Sequence, residues 1–436
     1  MNALARLLHE MGHRVTACDV KASEVTARLD RDGIPVALGN DDSHLGGVDI
    51  VTYSSAMTPD HQELRAAQGL GVLLYTRADA LRIACSARPT IGVAGTHGKT
   101  TTTAMLSSIL IACGKDPSYL IGGETSLPGS NAHWGAGEVL VVEADESDST
   151  HLQLPLRAAV VTNVDVDHLD NFGSFGEILR SFEQFVDAVD GPVVVGFDDP
   201  RSRELASGRD AMSFGVEGGD YRAVDVELHP GRVAFTLAHG SARRRVEIEQ
   251  RGIHNVRNAL GAIAIAHRWG VDLGDACAAI RAFRGVARRF DVRGSARGAI
   301  FVDDYAHLPA EISATLAAAR AEAGRRRIIA VFQPNRFNRM DKMSGEYRDA
   351  FVDADVTVIT EIYASGTAPI EGVSGTMVVD AIRSAHPGSD VRWCPTRSTL
   401  IDEVVEVVQD GDICISMGCG DIEHLPSQVM QRIGAS

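Results

Sequence analysis

Positive charge is scarce in this 436-residue sequence, whose 42 Lys and Arg face 58 Asp and Glu for a net charge of -16. Nucleic acid and anionic membrane both require a positive field, so neither is an expected partner. Long apolar runs are also missing: AAVVTNV and RIIAVF fall far short of a spanning helix. Met1 is not followed by a charged stretch and an apolar core of the kind that directs secretion, which points to the cytoplasm. Seven cysteines (Cys18, Cys85, Cys113, Cys277, Cys394, Cys414 and Cys419) form no CxxC pair and show no metal spacing, so they read as reduced thiols. Lysine is absent between Lys115 and Lys342. One more absence stands at the front. Met1, Leu4, Leu7, Leu8 and Met11 recur at helical spacing, Gly12 stops the helix, and Arg14 to Cys18 read as a strand ending in Asp19. That is the second half of a βαβ unit, without the strand and glycine-rich turn that normally open one.

The composition that is present, 44% apolar and 23% charged, is ordinary for a globular chain long enough for two or three domains. Three α/β blocks are expected. Residues 1–88 alternate helix and strand (VDIVTYSSA, GVLLYT) up to a break at SARPT. Residues 89–290 carry VLVVEAD, AAVVTNV and GPVVVGF between helical segments, with an antiparallel excursion over 221–249. DVRGSARG reads as the next linker, and residues 291–436 repeat the parallel pattern with AIFVDDY, RRIIAVFQ, DVTVITEIY and DICISMG.

The strongest chemical signal is IGVAGTHGKTTTTAML. A buried strand, Ile91 to Ala94, enters Gly95-Thr96-His97-Gly98-Lys99-Thr100, and a helix follows. Glycines let backbone N–H groups approach phosphates, a helix N-terminus favours negative charge, Lys99 reaches the β/γ oxygens and the Thr100 hydroxyl can ligate Mg²⁺. Val93 occupies the place of the first glycine of the strict phosphate-loop spacing, so a glycine-rich turn without nucleotide stays open. Two acidic clusters end later strands: Glu143, Asp145, Glu146 and Asp148, then Asp165, Asp167, His168 and Asp170. In parallel α/β domains both should face the phosphate loop and offer hard oxygen ligands, although each alone is more often a solvated loop or helix cap than a metal site.

GTHGKTTTT, EADESD, TNVDVDHLD, GIHNVRNALGAIAIA, FRGVARRFD, DDYAHLP, FQPNRFNR and MGCGD, in that order over nearly the whole chain, resemble the Mur ligase family of peptidoglycan synthesis. The resemblance implies three domains: a Rossmann-like UDP-substrate domain (1–88), a central phosphate-loop ATPase domain (89–290) and a Rossmann-like domain that closes over the amino acid (291–436). It implies ATP and Mg²⁺ as cofactors. Gly95, Thr96, His97, Gly98, Lys99, Thr100 and Thr101 would cradle the ATP phosphates; Thr100 and Glu143 would hold one Mg²⁺ and His168 a second. His254, Asn255 and Asn258 match the family's nucleotide segment, with Asn255 at the adenine; Arg289 matches an arginine near the phosphates and Asp304 a ribose ligand. Tyr305, His307, Arg336 and Arg339 match positions around the incoming amino acid and its carboxylate, which suits a guanidinium fork.

The activity implied is ATP-dependent ligation of L-alanine to UDP-N-acetylmuramate through an acyl phosphate. A relative that recycles a preformed tripeptide, and a catalytically silent ATP-binding relative, are the alternatives. Two departures bear on the amino acid accepted: Leu308 stands where the family usually has a second histidine, in DDYAHLP, and Asn335 replaces a histidine in FQPNR. Some members hold the second metal with a carbamylated lysine soon after DHLD; its absence here favours the alanine-adding branch or the tripeptide relative. The family's opening strand and GxGGxGM turn precede the helix that aligns with MNALARLLHEMG, so the expectation is that the natural start lies roughly 15 to 25 residues upstream, about the length of a strand and its turn.

Overall fold

A computed structural model describes residues 1–434 except 40, 55, 56, 59 and 167–171. The chain divides into two compact units, residues 1–225, 235–247 and 257–284 in one and residues 226–234, 248–256 and 285–436 in the other. Each is taken in turn.

The first unit opens with helix α1 (Asn2–Glu10), whose Leu4 and Leu7 are buried. Two parallel strand pairs follow: β1 (Ala17–Asp19) with β2 (Val36–Leu38), and β3 (Ile50–Tyr53) with β4 (Leu73–Thr76). Helix α2 (Glu24–Arg31) joins the first pair, α3 (Gln62–Gly69) the second, and α4 (Arg77–Ser86) follows β4. Side chains cap α2 and α4. Thr76 Oγ1 accepts from the Asp79 N–H at 3.1 Å while Asp79 Oδ2 accepts from the Thr76 N–H at 3.0 Å, a reciprocal cap at the head of α4. Leu7 of α1 joins the large core cluster that also contains Leu81, Leu140, Val161 and Phe182.

A ten-stranded sheet follows. Its strands are β5 (Thr90–Ala94), β6 (Ser118–Leu120), β7 (Ala132–His133), β8 (Leu140–Glu143), β9 (Ala158–Val161), β10 (Val193–Gly196), β11 (Ala211–Gly215), β12 (Tyr221–His229), β13 (Arg232–His239) and β14 (Ala242–Ile248), in the spatial order β14-β13-β12-β11-β10-β9-β5-β8-β6-β7. β5, β9 and β10 are buried at every residue, as expected for parallel strands covered on both faces. Helix α5 (Lys99–Ala112) is buried continuously from Thr101 to Leu110, so it runs through the interior. Helices α6 (Phe175–Asp187), α7 (Pro200–Glu204), α8 (Ile253–Arg268) and α9 (Leu273–Ala279) complete this part of the chain.

The second unit is built on a six-stranded sheet of β15 (Asp291–Ala296), β16 (Ala299–Asp304), β17 (Ile328–Phe332), β18 (Val356–Thr360), β19 (Val391–Cys394) and β20 (Ile413–Met417), ordered β15-β16-β20-β17-β18-β19. One core lies on each face, around Phe332 and Tyr347 and around Phe301 and Leu400. Helix α10 (Pro309–Ala323) follows β16, and α11 (Phe337–Met343) follows β17. DVRGSARG, read above as a linker, forms β15 instead. It pairs antiparallel with β16 and absorbs its glycine in a register shift between Val292 and Gly294, where φ is +148°. Among the described residues no helix is long and apolar enough to cross a membrane.

Candidate active site

β5 delivers the chain into Gly95-Thr96-His97-Gly98, and α5 begins at Lys99. Both glycines are required. Gly95 has φ +124° and Gly98 +85°, and an added Cβ would lie 2.1 Å from Thr162 Oγ1 at the first and 2.4 Å from Asn258 Oδ1 at the second. The loop is fastened to the segment after β9: the Thr96 N–H donates to Asn163 O at 3.0 Å, the His97 N–H to Asn163 Oδ1 at 2.9 Å, and Thr162 Oγ1 to His97 O at 2.6 Å. The result is a fixed turn at the N-terminus of a 14-residue helix, where N–H groups and the helix dipole favour an anion.

Sheet order explains which side chains meet this loop. β5 lies between β8 and β9, with Val93 opposite Glu143 and Ala94 opposite Val161. Glu143 at the end of β8 and Asp165 after β9 therefore lie beside the loop, the Asp165 N–H donating to Thr96 Oγ1 at 2.8 Å. Thr100 Oγ1 donates to Glu143 Oε2 at 3.1 Å, and the Gly122 N–H donates to the other oxygen. Burial nevertheless raises the Glu143 carboxyl above the usual range. His97 Nε2 lies 3.4 Å from Asp165 Oδ2, and Arg201 donates to Asp165 Oδ1 at 3.0 Å. The His97 hydrogen bond, with help from the Val166 N–H and Arg201, holds Asp165 far below its ordinary value. Thr101 is buried in the first turn of α5. His168, Asp167 and Asp170 lie outside the described residues.

Lys99 has a partner that the motif does not show. Its Nζ donates to both Glu146 oxygens, at 2.7 and 2.8 Å, and to Gly95 O at 2.7 Å. The side chains are 15% and 4% exposed, so this is a sequestered ion pair. Desolvation pulls the ammonium down, but Glu146, Asp145 and Glu143 outweigh it and the pKa lies above the ordinary lysine value. Glu146 is legible in EADESD only as one acid among four, whereas its pairing follows from the turn after β8. Asn163 and Arg201, which secure the loop and Asp165, give no sequence signal of their own.

In the second unit the expected residues gather at the carboxyl ends of β16, β17 and β20. Asp304 ends β16 and accepts from the Phe290 and Ala306 N–H groups, each at 2.7 Å. Burial pushes its carboxyl up to about 6 despite Arg289 and those two donors. Arg289 and its neighbour Arg288 both lie 5.2 Å from the Tyr305 ring centroid. Arg288, which the sequence does not distinguish, donates to Asp303 at 2.9 Å and to Gly418 O at 2.8 Å. Tyr305 and His307 meet edge to face at 5.4 Å, and His307 Nδ1 is 3.2 Å from Glu311. His254 and Asn255 stand at the start of α8, Asn255 donating to Arg251 O at 2.8 Å; Asn258, one turn on, belongs to the first unit.

Arg336 sits at the head of α11 with φ +61°, a conformation that a non-glycine residue holds at a cost. The Tyr363 carbonyl accepts its N–H at 2.9 Å. Arg339 is 8% exposed and donates to Asn335 Oδ1 at 2.8 Å. Both departures from the family pattern have a structural use here: Asn335 orients Arg339, and Leu308 is buried beside the Glu311 carboxylate, which accepts the His307 and Leu308 N–H groups at 3.0 and 3.2 Å.

An anion-binding loop with a largely sequestered lysine and oxygen ligands beside it can serve phosphoryl chemistry. Comparison with known proteins gives the same direction. Residues 1–88 match the model of the Mur ligase family catalytic domain, 93–266 that of the Mur ligase middle domain, and 288–420 that of the Mur ligase glutamate ligase domain. The UDP-N-acetylmuramate–L-alanine ligase of Pelobacter propionicus is 40% identical over 430 residues, 97% of this chain and 93% of that one. Its counterpart from Rubrobacter xylanophilus is 40% identical over 440 residues, 99% of this chain and 97% of that one. The crystal structure of UDP-N-acetylmuramate–alanine ligase from Thermotoga maritima superposes with a TM-score of 0.83 at 28% identity, covering 100% of this chain and 97% of that one. Phosphate loop, acidic strand ends, α/β architecture and full-length similarity agree: the chain belongs to the Mur ligase family.

Proposed function

We propose that this protein is an ATP-dependent amide-bond-forming ligase that joins L-alanine to UDP-N-acetylmuramate. The observation that carries the reading is the loop Gly95–Thr100 with Lys99 and Glu143 at its mouth, in a chain 40% identical to alanine-adding ligases over nearly its whole length. The three domains are residues 1–88 for the UDP-sugar, 89–290 for ATP and 291–436 for the amino acid. The reaction belongs in the cytoplasm, where ATP is supplied.

The chemistry follows from charge. A substrate carboxylate attacks the γ-phosphorus of ATP and ADP leaves, giving an acyl phosphate; the neutral alanine amine then attacks the acyl carbon and phosphate departs. Gly95, Thr96, His97 and Gly98 present backbone amides to the phosphate chain, Thr101 continues the helix terminus, and Lys99 neutralises charge on the transferring group. Thr100 and Glu143 supply a hydroxyl and a half-buried carboxylate 3.1 Å apart, hard oxygen donors that fit Mg²⁺, with His168 assigned to a second ion. Mg²⁺ held there would offset the charge of the triphosphate. Asn255, with His254 and Asn258, is assigned to the adenine, Arg289 to the phosphates and Asp304 to the ribose hydroxyls. Arg336 and Arg339 are assigned to the alanine carboxylate, beside Tyr305 and His307.

The test is ADP release measured with UDP-N-acetylmuramate and L-alanine, together and separately, and with glycine, L-serine and the tripeptide in place of alanine. Release that requires both substrates and favours alanine is expected. Release with the tripeptide alone would move the assignment to the recycling reaction, and no release with any acceptor would remove the enzyme reading.

A further inference from the structure

The N-terminal region carries a cluster that the phosphate chemistry does not use. Cys18 of β1, His44 in the 3₁₀ turn Asp42–Leu45 and Glu63 in the first turn of α3 bring their ligating atoms within 4.8 Å of one another. Cys18 Sγ donates to Glu63 Oε2 at 3.5 Å, and His44 Nδ1 lies 2.9 Å from Glu63 Oε1. The residues come from three elements, so the convergence is a product of the fold and not of local sequence. Glu63 is 5% exposed while Cys18 is open to solvent, which gives the cluster a closed floor and an accessible mouth.

The donor set discriminates among cations. Magnesium and calcium take oxygen ligands, whereas thiolate with imidazole and one carboxylate suits zinc or cobalt. Geometry agrees. With zinc–sulfur near 2.3 Å and zinc–oxygen near 2.0 Å, a tetrahedral centre holds sulfur and oxygen about 3.5 Å apart, the separation found between Cys18 and Glu63. The backbone N–H of Asp41 donates to Glu63 Oε1 at 3.4 Å, an outer contact that orients the carboxylate.

We propose that Cys18, His44 and Glu63 bind one zinc-class divalent cation, with water completing the coordination at the solvent mouth. Coordination replaces the thiol S–H bond by a sulfur–metal bond and releases the proton to solvent. Without a cation, the Cys18 thiol donates to the Glu63 carboxylate. An ion in this place would tie β1, the 3₁₀ turn and α3 together and stabilise the N-terminal region by mass action.

The full chain, freed of metal by a chelator, is titrated with cobalt(II) as the probe. A thiolate-to-cobalt charge-transfer band that saturates at one ion per chain and is displaced by zinc is expected. Cys18→Ser should abolish the band. His44→Gln should weaken cobalt binding by more than the roughly 10- to 100-fold that loss of an outer contact costs. Cys113→Ser and Cys419→Ser, at the other two cysteines that are not buried, should leave the band unchanged. Cys18→Ser alters an accessible position, and circular dichroism of each variant confirms that a lost band is not lost folding. A flat titration of the folded parent protein would overturn the proposal and leave Glu63 as the acceptor of a hydrogen-bond network only. A band that survives Cys18→Ser, or that follows Cys113 or Cys419, would overturn it equally.

Discussion

Replacing Lys99 tests the architecture of the phosphate loop and its chemistry at once, because the two respond differently. The ammonium contacts both oxygens of Glu146, whose side chain is only 4% exposed. Lys99→Ala therefore strands a buried carboxylate close to Asp145 and Glu143, and breaking a buried pair from one side costs about 3–5 kcal/mol. A lysine on a solvent-facing loop could be lost without cost to the fold; this one, 15% exposed and paired, cannot. Adding Glu146→Gln removes the stranded charge, so the double variant should recover most of that stability. Catalysis should not recover, since loss of a charge stabiliser of this type costs roughly 10²-fold or more in rate. Urea denaturation of parent, both single variants and the double variant gives the coupling energy, and ADP release with both substrates gives the rate. Full stability in Lys99→Ala would refute the energetic role of the pair. Turnover within a few-fold of the parent in either lysine variant would refute the loop assignment itself.

Gly98→Ala should weaken ATP binding at least tenfold while Gly114→Ala does not, because a Cβ at residue 98 would sit 2.4 Å from Asn258 Oδ1 and none is obstructed at residue 114; equal affinity in both, by nucleotide titration, would count against the cradle. Asp304 is raised from 3.8 to about 6, so between those values the folded state binds more protons than the unfolded state, and stability falls as pH rises through that window. The full effect is about 3 kcal/mol from about two pH units, and Asp304→Asn should flatten that part of the stability profile relative to the parent; parallel profiles would refute it. Arg336→Ala and Arg339→Ala should raise the alanine concentration needed for turnover and leave nucleotide affinity unchanged, and the reverse outcome in binding assays would place these arginines elsewhere.

Much of this was legible in the chain because it is local. A buried strand, a glycine turn and a GKT helix start are contiguous, so Gly95 to Thr100 could be read without a third dimension, and the parallel pattern fixed which strand ends would carry acids. DVRGSARG was misread because glycine and charge mark linkers and bulged edge strands alike; only the pairing partner β16 decides between them. Glu146, Asn163 and Arg288 were hidden for a different reason. Their importance lies in what they touch: Lys99 across a turn, His97 across neighbouring strand ends, Asp303 and the Gly418 carbonyl from a loop. Residue type alone does not announce such contacts. Asn335 carries the same lesson in reverse, since a departure from the family motif proves to be the group that receives Arg339.

The two separate strand pairs near the start of the chain bear on colloidal behaviour. Leu38, Ile50 and Leu73 on these strands are 55%, 46% and 55% exposed. Exposed apolar strand residues favour contact with a second chain. Opposing that is the net charge of -16, which makes approaching copies repel. Such repulsion fades beyond a Debye length, about 10 Å in 0.1 M salt and about 3 Å in 1 M. Added salt therefore shortens the range of the repulsion between copies and leaves these apolar side chains exposed.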